Sequence, residues 1–397
     1  MSFGTLVAIV LAGLGGPLLG LLGRRFVPVV IGEILAGILV GPAVLNVVDP
    51  ANGMVSFLGD IGFAMLMLTV GMHLPLRDRR LAASVRDGAL LAALVCLLAV
   101  PGGILAASIA GTGHAAVYAV VLASGSAAVL LPAIEETGME GRAVMTVMAQ
   151  VTIADVITIL SVPIVLAPGR VAHAALGAAL VALAAAALFL GARLVSRGEW
   201  VHRVRHLSKQ RHWALDLRLS LLSLFLLAWL AERGGTSILI AGFGAGVVVA
   251  LVGGPKRLST QMRGVAEGFF IPLYFVVLGA RLDVGGLAQE PSMLALAVAL
   301  AVLNVLIRVI AAVVMRGGMA GALAASAQLG VPAAVASLGL AAGVLSAVTA
   351  TAIVVSALAS LAVCTVGVEM LARANPGAIA AAGSGALSEA APVEAAG

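Results

Sequence analysis

The sequence predicts an all-α polytopic membrane protein of about thirteen helices, and three observations carry that expectation. Of its 397 residues, 62% are hydrophobic and only 10% are charged, far outside the usage of water-soluble chains. Apolar runs of roughly 18 to 25 residues recur along it, each long enough to cross ~30 Å of hydrocarbon at ~1.5 Å per residue. Only short polar breaks separate them, so one membrane domain is expected over residues 1–373 rather than two or three soluble ones.

The first half contains runs at 3–22, 28–46, 54–75, 84–110, 115–135, 142–167 and 171–195. The second half contains 212–231, 236–253, 262–281, 292–315, 318–341 and 344–372. The first run is followed, not preceded, by the basic pair Arg24 and Arg25, which reads as an uncleaved helix and not a signal peptide. Basic residues give an orientation test, since cytoplasmic loops collect them. With the N-terminus outside, the inner loops hold Arg24, Arg25, Arg77, Arg79, Arg80, Arg142, the basic stretch Arg197 to Arg211, Lys256, Arg257 and Arg316. The outer loops hold only Arg170, Arg233 and Arg281, so a cytoplasmic C-terminus and insertion in the cell membrane are expected.

Between the seventh and eighth runs, residues 196–211 form a basic linker in which Trp200, Val201, Val204 and Leu207 have loosely helical spacing, as in an interfacial helix joining two bundles. The tail 374–397 is Ala, Gly, Pro and Ser with two Glu, lacks an apolar pattern and is expected to be disordered. No nucleotide-binding regulatory domain is expected after the last helix. Gly16 with Gly20, Gly37 with Gly41 and Gly242 with Gly246 follow the close-packing spacing of membrane helices.

Ionisable groups deep in a bilayer are costly, and each is a functional candidate. Asp155 lies mid-run in VTIADVI, and Arg308 lies within the eleventh run in NVLIRVI. A desolvated carboxylate can bind a proton or a cation, the elementary requirement of coupled exchange. The plainer reading is a helix-to-helix ion pair of the two. Glu33, Asp60, Glu135, Glu136 and Glu267 lie nearer the run ends, where snorkelling or capping accounts for them.

Two runs carry helix breakers at corresponding places in the two halves: LASGSA around Gly125, followed by Pro132, and QLGVPA with Gly330 and Pro332. Interrupted helices so placed point to a secondary transporter's site, because freed backbone groups face a polar cavity. Ser124, Ser126 and Thr152 could add oxygen ligands to a monovalent cation there.

The net charge of +5 is a topology signal and not a sign of nucleic-acid binding. No Walker loop, Gly-x-Ser-x-Gly or His-Glu-x-x-His pattern occurs, which leaves nucleotide drive and intramembrane hydrolysis without support, and an enzyme is not expected. Cys96 and Cys364 stand alone inside runs and read as packing residues, and His114 lies in an outer loop. Neither a metal site nor a cofactor is indicated.

Several segments in order resemble the cation:proton antiporter-2 family, which includes sodium/proton antiporters and the glutathione-gated potassium-efflux proteins. Ile31 to Pro42 (IGEILAGILVGP) is similar to its GEILAG...GP signature. Leu66 to Leu74 and Phe269 to Asp283 are similar to its LFxxGLxL and FFxPxFFxxxGxxLD segments, and the likeness runs from about residue 5 to about 372. The resemblance implies a thirteen-helix inverted-repeat cation/proton antiporter fold, dimeric, with a six-helix core where two broken helices cross. It places the ion-binding carboxylate on Asp155, the core basic residue on Arg308 and the crossover on Gly125, Gly330 and Pro332. One departure is mechanistic: the family has Asp, Asn or Gln before that carboxylate, and this chain has Ala154. A single carboxylate favours one-for-one, electroneutral exchange of H+ against Na+ or K+ by alternating access. The alternatives are a sodium-coupled organic-anion symporter of similar fold and a transport-inactive membrane sensor or assembly subunit.

Overall fold

A computed structural model describes residues 2–22, 29–72, 84–137, 139, 141–167, 169, 171–195, 215–252 and 256–374. The basic linker lies outside these residues, as does the tail from residue 375 onward. Among the described residues the secondary structure is helical throughout, with no strand.

In chain order the helices of the first half are α1 (Phe3–Gly13), α2 (Gly15–Leu22), α3 (Val29–Val40), α4 (Gly53–Met72), α5 (Val85–Ala110), α6 (Ala115–Ala123), α7 (Ala127–Thr137), α8 (Arg142–Leu166) and α9 (Val171–Val195). The second half has α10 (Leu215–Arg233), α11 (Ile238–Val252) and α12 (Lys256–Val265). A π-helical turn (Ala266–Phe270) then leads into α13 (Ile271–Ala280), α14 (Val284–Gln289), α15 (Pro291–Val314), α16 (Met319–Ala324), α17 (Gly330–Ala341) and α18 (Ala347–Ala374). Each apolar run of the sequence coincides with one helix or a consecutive pair. Among the described residues eight segments are long and apolar enough to cross a membrane, and Val29–Val40, Ala115–Leu131, Ile238–Val252 and Gly330–Ala341 are shorter apolar helices. α10 carries Asp216, Arg218, Glu232 and Arg233 at its two ends, with an apolar stretch between.

The two halves repeat one order: a long helix, a broken pair, and a second long helix. In the first half these are α5, α6/α7 and α8; in the second they are α15, α16/α17 and α18. These elements pack on one another, α5 on α6, α8 and α15, and α18 on α15, α16 and α17. A second group, α3, α4, α11 and α13, packs around them as a scaffold, with α1 and α2 against α3 and with α9 and α10 against α11.

Lipid gives helices no hydrophobic reason to associate, so close approach of small residues has to hold them. On α11, a Cβ at Gly246 would lie 2.1 Å from the Leu68 carbonyl oxygen and one at Gly242 would lie 2.6 Å from that of Ala64, both on α4. Gly37 meets the Val276 carbonyl of α13 in the same way, at 2.3 Å. Gly16 is equally tight against Val29, whereas among the described residues a Cβ at Gly20 would meet nothing within 4 Å. The outer faces are apolar: Phe3 and Leu21 are 87% and 83% exposed and Leu183 is 72% exposed, as in a protein whose solvent is lipid.

Candidate functional site where two broken helices meet

The first break follows from three residues. α6 ends at Ala123, Ser124 turns into an extended conformation, and α7 opens at Ala127. A Cβ on Gly125 would stand 2.8 Å from Val151 Cγ1, so glycine is what lets the break lie directly on α8. The first N–H groups of a helix have no partner within it and carry partial positive charge. Ala127 N spends its hydrogen on Asp155 Oδ2, at 3.0 Å. Asp155, 3% exposed, therefore sits as an anion would at the start of a half-helix.

The second break lies upstream of the residues that announce it. Pro332 is the third residue of α17, where its missing N–H is one the helix could not have bonded anyway. The proline starts the second half-helix, and the interruption itself is residues 325–329. Gly330 is not needed for close approach, since its nearest neighbour would be Met67 Cε at 3.5 Å.

Arg308 joins the two breaks. It is 2% exposed on α15. Its Nε donates to the Ala325 carbonyl at 2.7 Å, and its Nη1 to the carbonyls of Leu122 at 3.1 Å and Asn304 at 3.0 Å. Further bonds run from Nη1 to Asn304 Oδ1 and from Nη2 to the Ser124 carbonyl. The carbonyls of Leu122, Ser124 and Ala325 cluster at the C-terminal ends of α6 and α16, where the helix leaves acceptors unpaired and the dipole is negative. A planar guanidinium with five donors suits that task. Arg308 and Asp155 form no ion pair with each other, so the plainer sequence reading gives way: the cation is engaged by carbonyls and the carboxylate by a backbone N–H.

Two neutral residues complete the junction, and the sequence reading gave neither a role. Asn304 Nδ2 donates to the Ser326 carbonyl at 2.9 Å. Gln328, in the second break, donates from Nε2 to the Val121 carbonyl at 2.6 Å and to that of Ser124 at 3.3 Å. Their signal was available: each is a buried-type amide in an apolar run, and Asn304 lies one turn from Arg308.

The candidate ligands differ in their surroundings. Thr152, three residues before Asp155 and so on the same helical face, is buried, and its Oγ1 has no hydrogen-bond partner. The Ser124 hydroxyl donates to the Val121 carbonyl at 2.8 Å, within its own helix end. Ser126 and Ala154 are buried beside the carboxylate's helix contact. Among the described residues no group of three His, Cys, Asp or Glu could hold a metal ion.

The other carboxylates separate by burial. Glu267 is half-exposed and 3.7 Å from Arg263, in keeping with a snorkelling position. Glu33 is not: it is 3% exposed, packed against Gly16, and its Oε2 has no partner, because small glycines on α2 let that helix cover it. The side chains of Glu135 and Glu136 lie outside the described residues. Asp60 lines a cleft of about 630 Å³ between α4, α13 and the segment after α3 on one side and α17 on the other, with Arg281, Tyr274 and Ser337. There Tyr274 bridges scaffold and core, its hydroxyl donating to the Ala333 carbonyl and sharing a hydrogen bond with Ser337 Oγ, each at 3.0 Å. His114 precedes α6 and stands edge-on to Tyr118. Both cysteines are free.

Comparison with known proteins agrees with this architecture. The chain is 25% identical over 271 residues to a "Probable Na(+)/H(+) antiporter 3" of Methanocaldococcus jannaschii, covering 66% of this chain and 68% of that one. It is 28% identical over 274 residues to the glutathione-regulated potassium-efflux system protein KefC of Salmonella paratyphi B, covering 66% of this chain and 42% of the relative, so it matches under half the length of that protein. The fold matches that of the sodium proton antiporter MjNhaP1 from Methanocaldococcus jannaschii, with a TM-score of 0.63 and 16% identity, over 93% of this chain and 96% of that one. A family model for the transmembrane sodium/hydrogen exchanger matches residues 6–374, and the chain belongs to that family.

Proposed function

We propose that this protein is a secondary antiporter that exchanges H+ for a monovalent cation, Na+ or K+, at Asp155. The observation that carries the reading is the division of charge at the junction: Arg308 is committed to backbone carbonyls, and Asp155 has a single backbone N–H. A buried carboxylate that is not salt-bridged to a base is stabilised by a neutralising partner that can arrive and leave. A proton and an alkali cation both meet that need, and they compete for it. The names of the relatives support the chemistry, sodium in one and potassium in the other.

Thr152 Oγ1, buried and without a hydrogen-bond partner, supplies one oxygen, and Ser126 and Ser124 complete the oxygen set around the cation. Arg308 holds the crossover and does not ligate the ion. With Ala154 in the adjoining position, one carboxylate takes one charge of either kind, so exchange is one-for-one and electroneutral. Alternating access follows from the core of broken helices moving against the scaffold, with N-terminus outside and C-terminus in the cytoplasm of a homodimer in the cell membrane.

The test is cation-induced proton movement in proteoliposomes carrying an internal pH dye, with Na+, K+ and Li+ in turn, for the intact chain and Asp155→Asn. A cation-dependent pH change in the intact chain that vanishes in the variant, and is insensitive to valinomycin-clamped membrane potential, is the expected result. No pH change in the folded intact protein with any of the three ions refutes the proposal.

A further inference from the structure

The antiport reading uses Asp155 and Arg308 but leaves unexplained a buried neutral amide between them. Gln328 is 1% exposed and lies in the second break. Its backbone N donates to Ser360 Oγ of α18 at 3.1 Å. Its side chain reaches across to the end of α6, 2.6 Å from the Val121 carbonyl. One residue thus ties the second break to α18 and to the first break, which is more than 200 positions away in sequence.

The tie lies one short link from the carboxylate. The Ser124 carbonyl that Gln328 and Arg308 both engage precedes Gly125, Ser126 and the Ala127 N–H that Asp155 accepts. Gly125 offers no side chain to fix that link by packing. The position of the Ala127 N–H over Asp155 is therefore set from the α6 side by what holds the carbonyls of Val121 and Ser124. Arg308 also links this end to the second break through the Ala325 carbonyl, but from α15; Gln328 makes the link from within the second break itself.

We infer that Gln328 is a positioning residue for ion exchange: its amide locks the two breaks in register and so fixes the backbone N–H that steadies the Asp155 carboxylate. This rests on the antiport reading. A hydrogen bond to a carboxylate favours its charged form, and that is the form a cation binds. Loosening the bond gives the proton the advantage, so exchange should need more alkaline conditions.

The variant Gln328→Met keeps length and removes both donors; Gln328→Asn keeps the amide on a shorter stem. Cation-dependent proton flux and cation-induced thermal stabilisation in detergent are measured from pH 6 to 9 for the intact chain and both variants. For Gln328→Met the pH of half-maximal effect should rise by about 0.5 to 1 unit, an appreciable part of one charged hydrogen bond, with a smaller rise for Gln328→Asn. The stabilisation readout carries the test if a variant binds but does not turn over, and Gln328→Asn carries it if Gln328→Met does not fold. Profiles superimposable on the intact chain, or a uniform loss of stability with no shift in pH, overturn the assignment to Gln328. Absence of both flux and cation stabilisation in the intact chain overturns the antiport reading instead.

Discussion

The assignment of Arg308 to the helix ends rather than to Asp155 can be tested by a double-mutant cycle on folding stability. In Arg308→Met the stem is roughly conserved and the donors are lost. The carbonyls of Leu122 and Ala325 and the side-chain oxygen of Asn304 then lose the Arg308 donor bonded to them, while the Ser124 carbonyl keeps Gln328 at 3.3 Å. Each orphaned buried acceptor costs ~1–3 kcal/mol, so three cost ~3–9. Relief from burying a guanidinium works against this and brings the net to about 2–4 kcal/mol. Asp155→Asn removes a buried charge that has one backbone donor, and its cost should be about 1 kcal/mol or less, or even favourable.

The cycle separates the two arrangements. If Arg308 serves carbonyls and Asp155 serves the ion, the double variant loses about the sum of the single losses, with a coupling below ~1 kcal/mol from their shared neighbourhood. If the two were salt-bridged, Asp155→Asn would already have released the guanidinium, and coupling would reach ~3 kcal/mol. Denaturant unfolding in micelles, followed by tryptophan fluorescence on all four proteins, gives the four free energies. A coupling above about 2 kcal/mol refutes the separation of charges on which the proposed mechanism stands.

Two further substitutions probe the site and the scaffold. Thr152→Val keeps the shape and deletes the hydroxyl, and it should raise the half-saturating cation concentration in the proteoliposome assay about five- to tenfold, with Thr152→Ser near the intact value; an unchanged concentration removes Thr152 from the ligand set. Gly246→Val would push a branched side chain against the Leu68 carbonyl, 2.1 Å from the first added carbon, and should abolish the folded monodisperse peak in detergent chromatography, whereas Gly20→Val, in open space, should leave that peak unchanged.

What the sequence discloses follows from what is local in the physics. Charge in an apolar run is costly wherever the run folds, so Asp155 and Arg308 stand out before any neighbour is known, and both are buried. Run length and polar breaks likewise yield the helical segments, since spanning hydrocarbon is a property of a segment alone. Burial by a neighbour is not local. Glu33 lies four residues into α3 and looks like a snorkelling end residue until Gly16 of α2 closes over it. Pro332 misleads for a related reason: a proline that interrupts one helix and a proline that begins another have the same sequence signature, and only the partners of residues 325–329 distinguish them. Gln328 stands out only as an amide in an apolar run; its partners cannot be read from the sequence, because Val121 and Ser124 come from the other half of the chain.

The separation of charges also bears on why such a site would exchange ions rather than leak them. Arg308 is solvated by fixed carbonyl dipoles at the ends of α6 and α16, and those contacts do not depend on what Asp155 carries. Asp155 has only the Ala127 N–H and the α7 dipole, which steady a carboxylate but do not neutralise it. Loaded with a proton or a cation, Asp155 is neutralised and Arg308 keeps its charge among the carbonyls. Emptied, the carboxylate is a second buried charge, not salt-bridged to the first, that would have to travel past apolar scaffold helices, at a cost of several kcal/mol. On the proposed mechanism that penalty suppresses the empty return step, so a bound ion must leave on one side only when another takes its place before the core moves back. A second carboxylate at position 154 would change this balance by letting two charges travel together. On the proposed mechanism, alanine there limits each crossing to one.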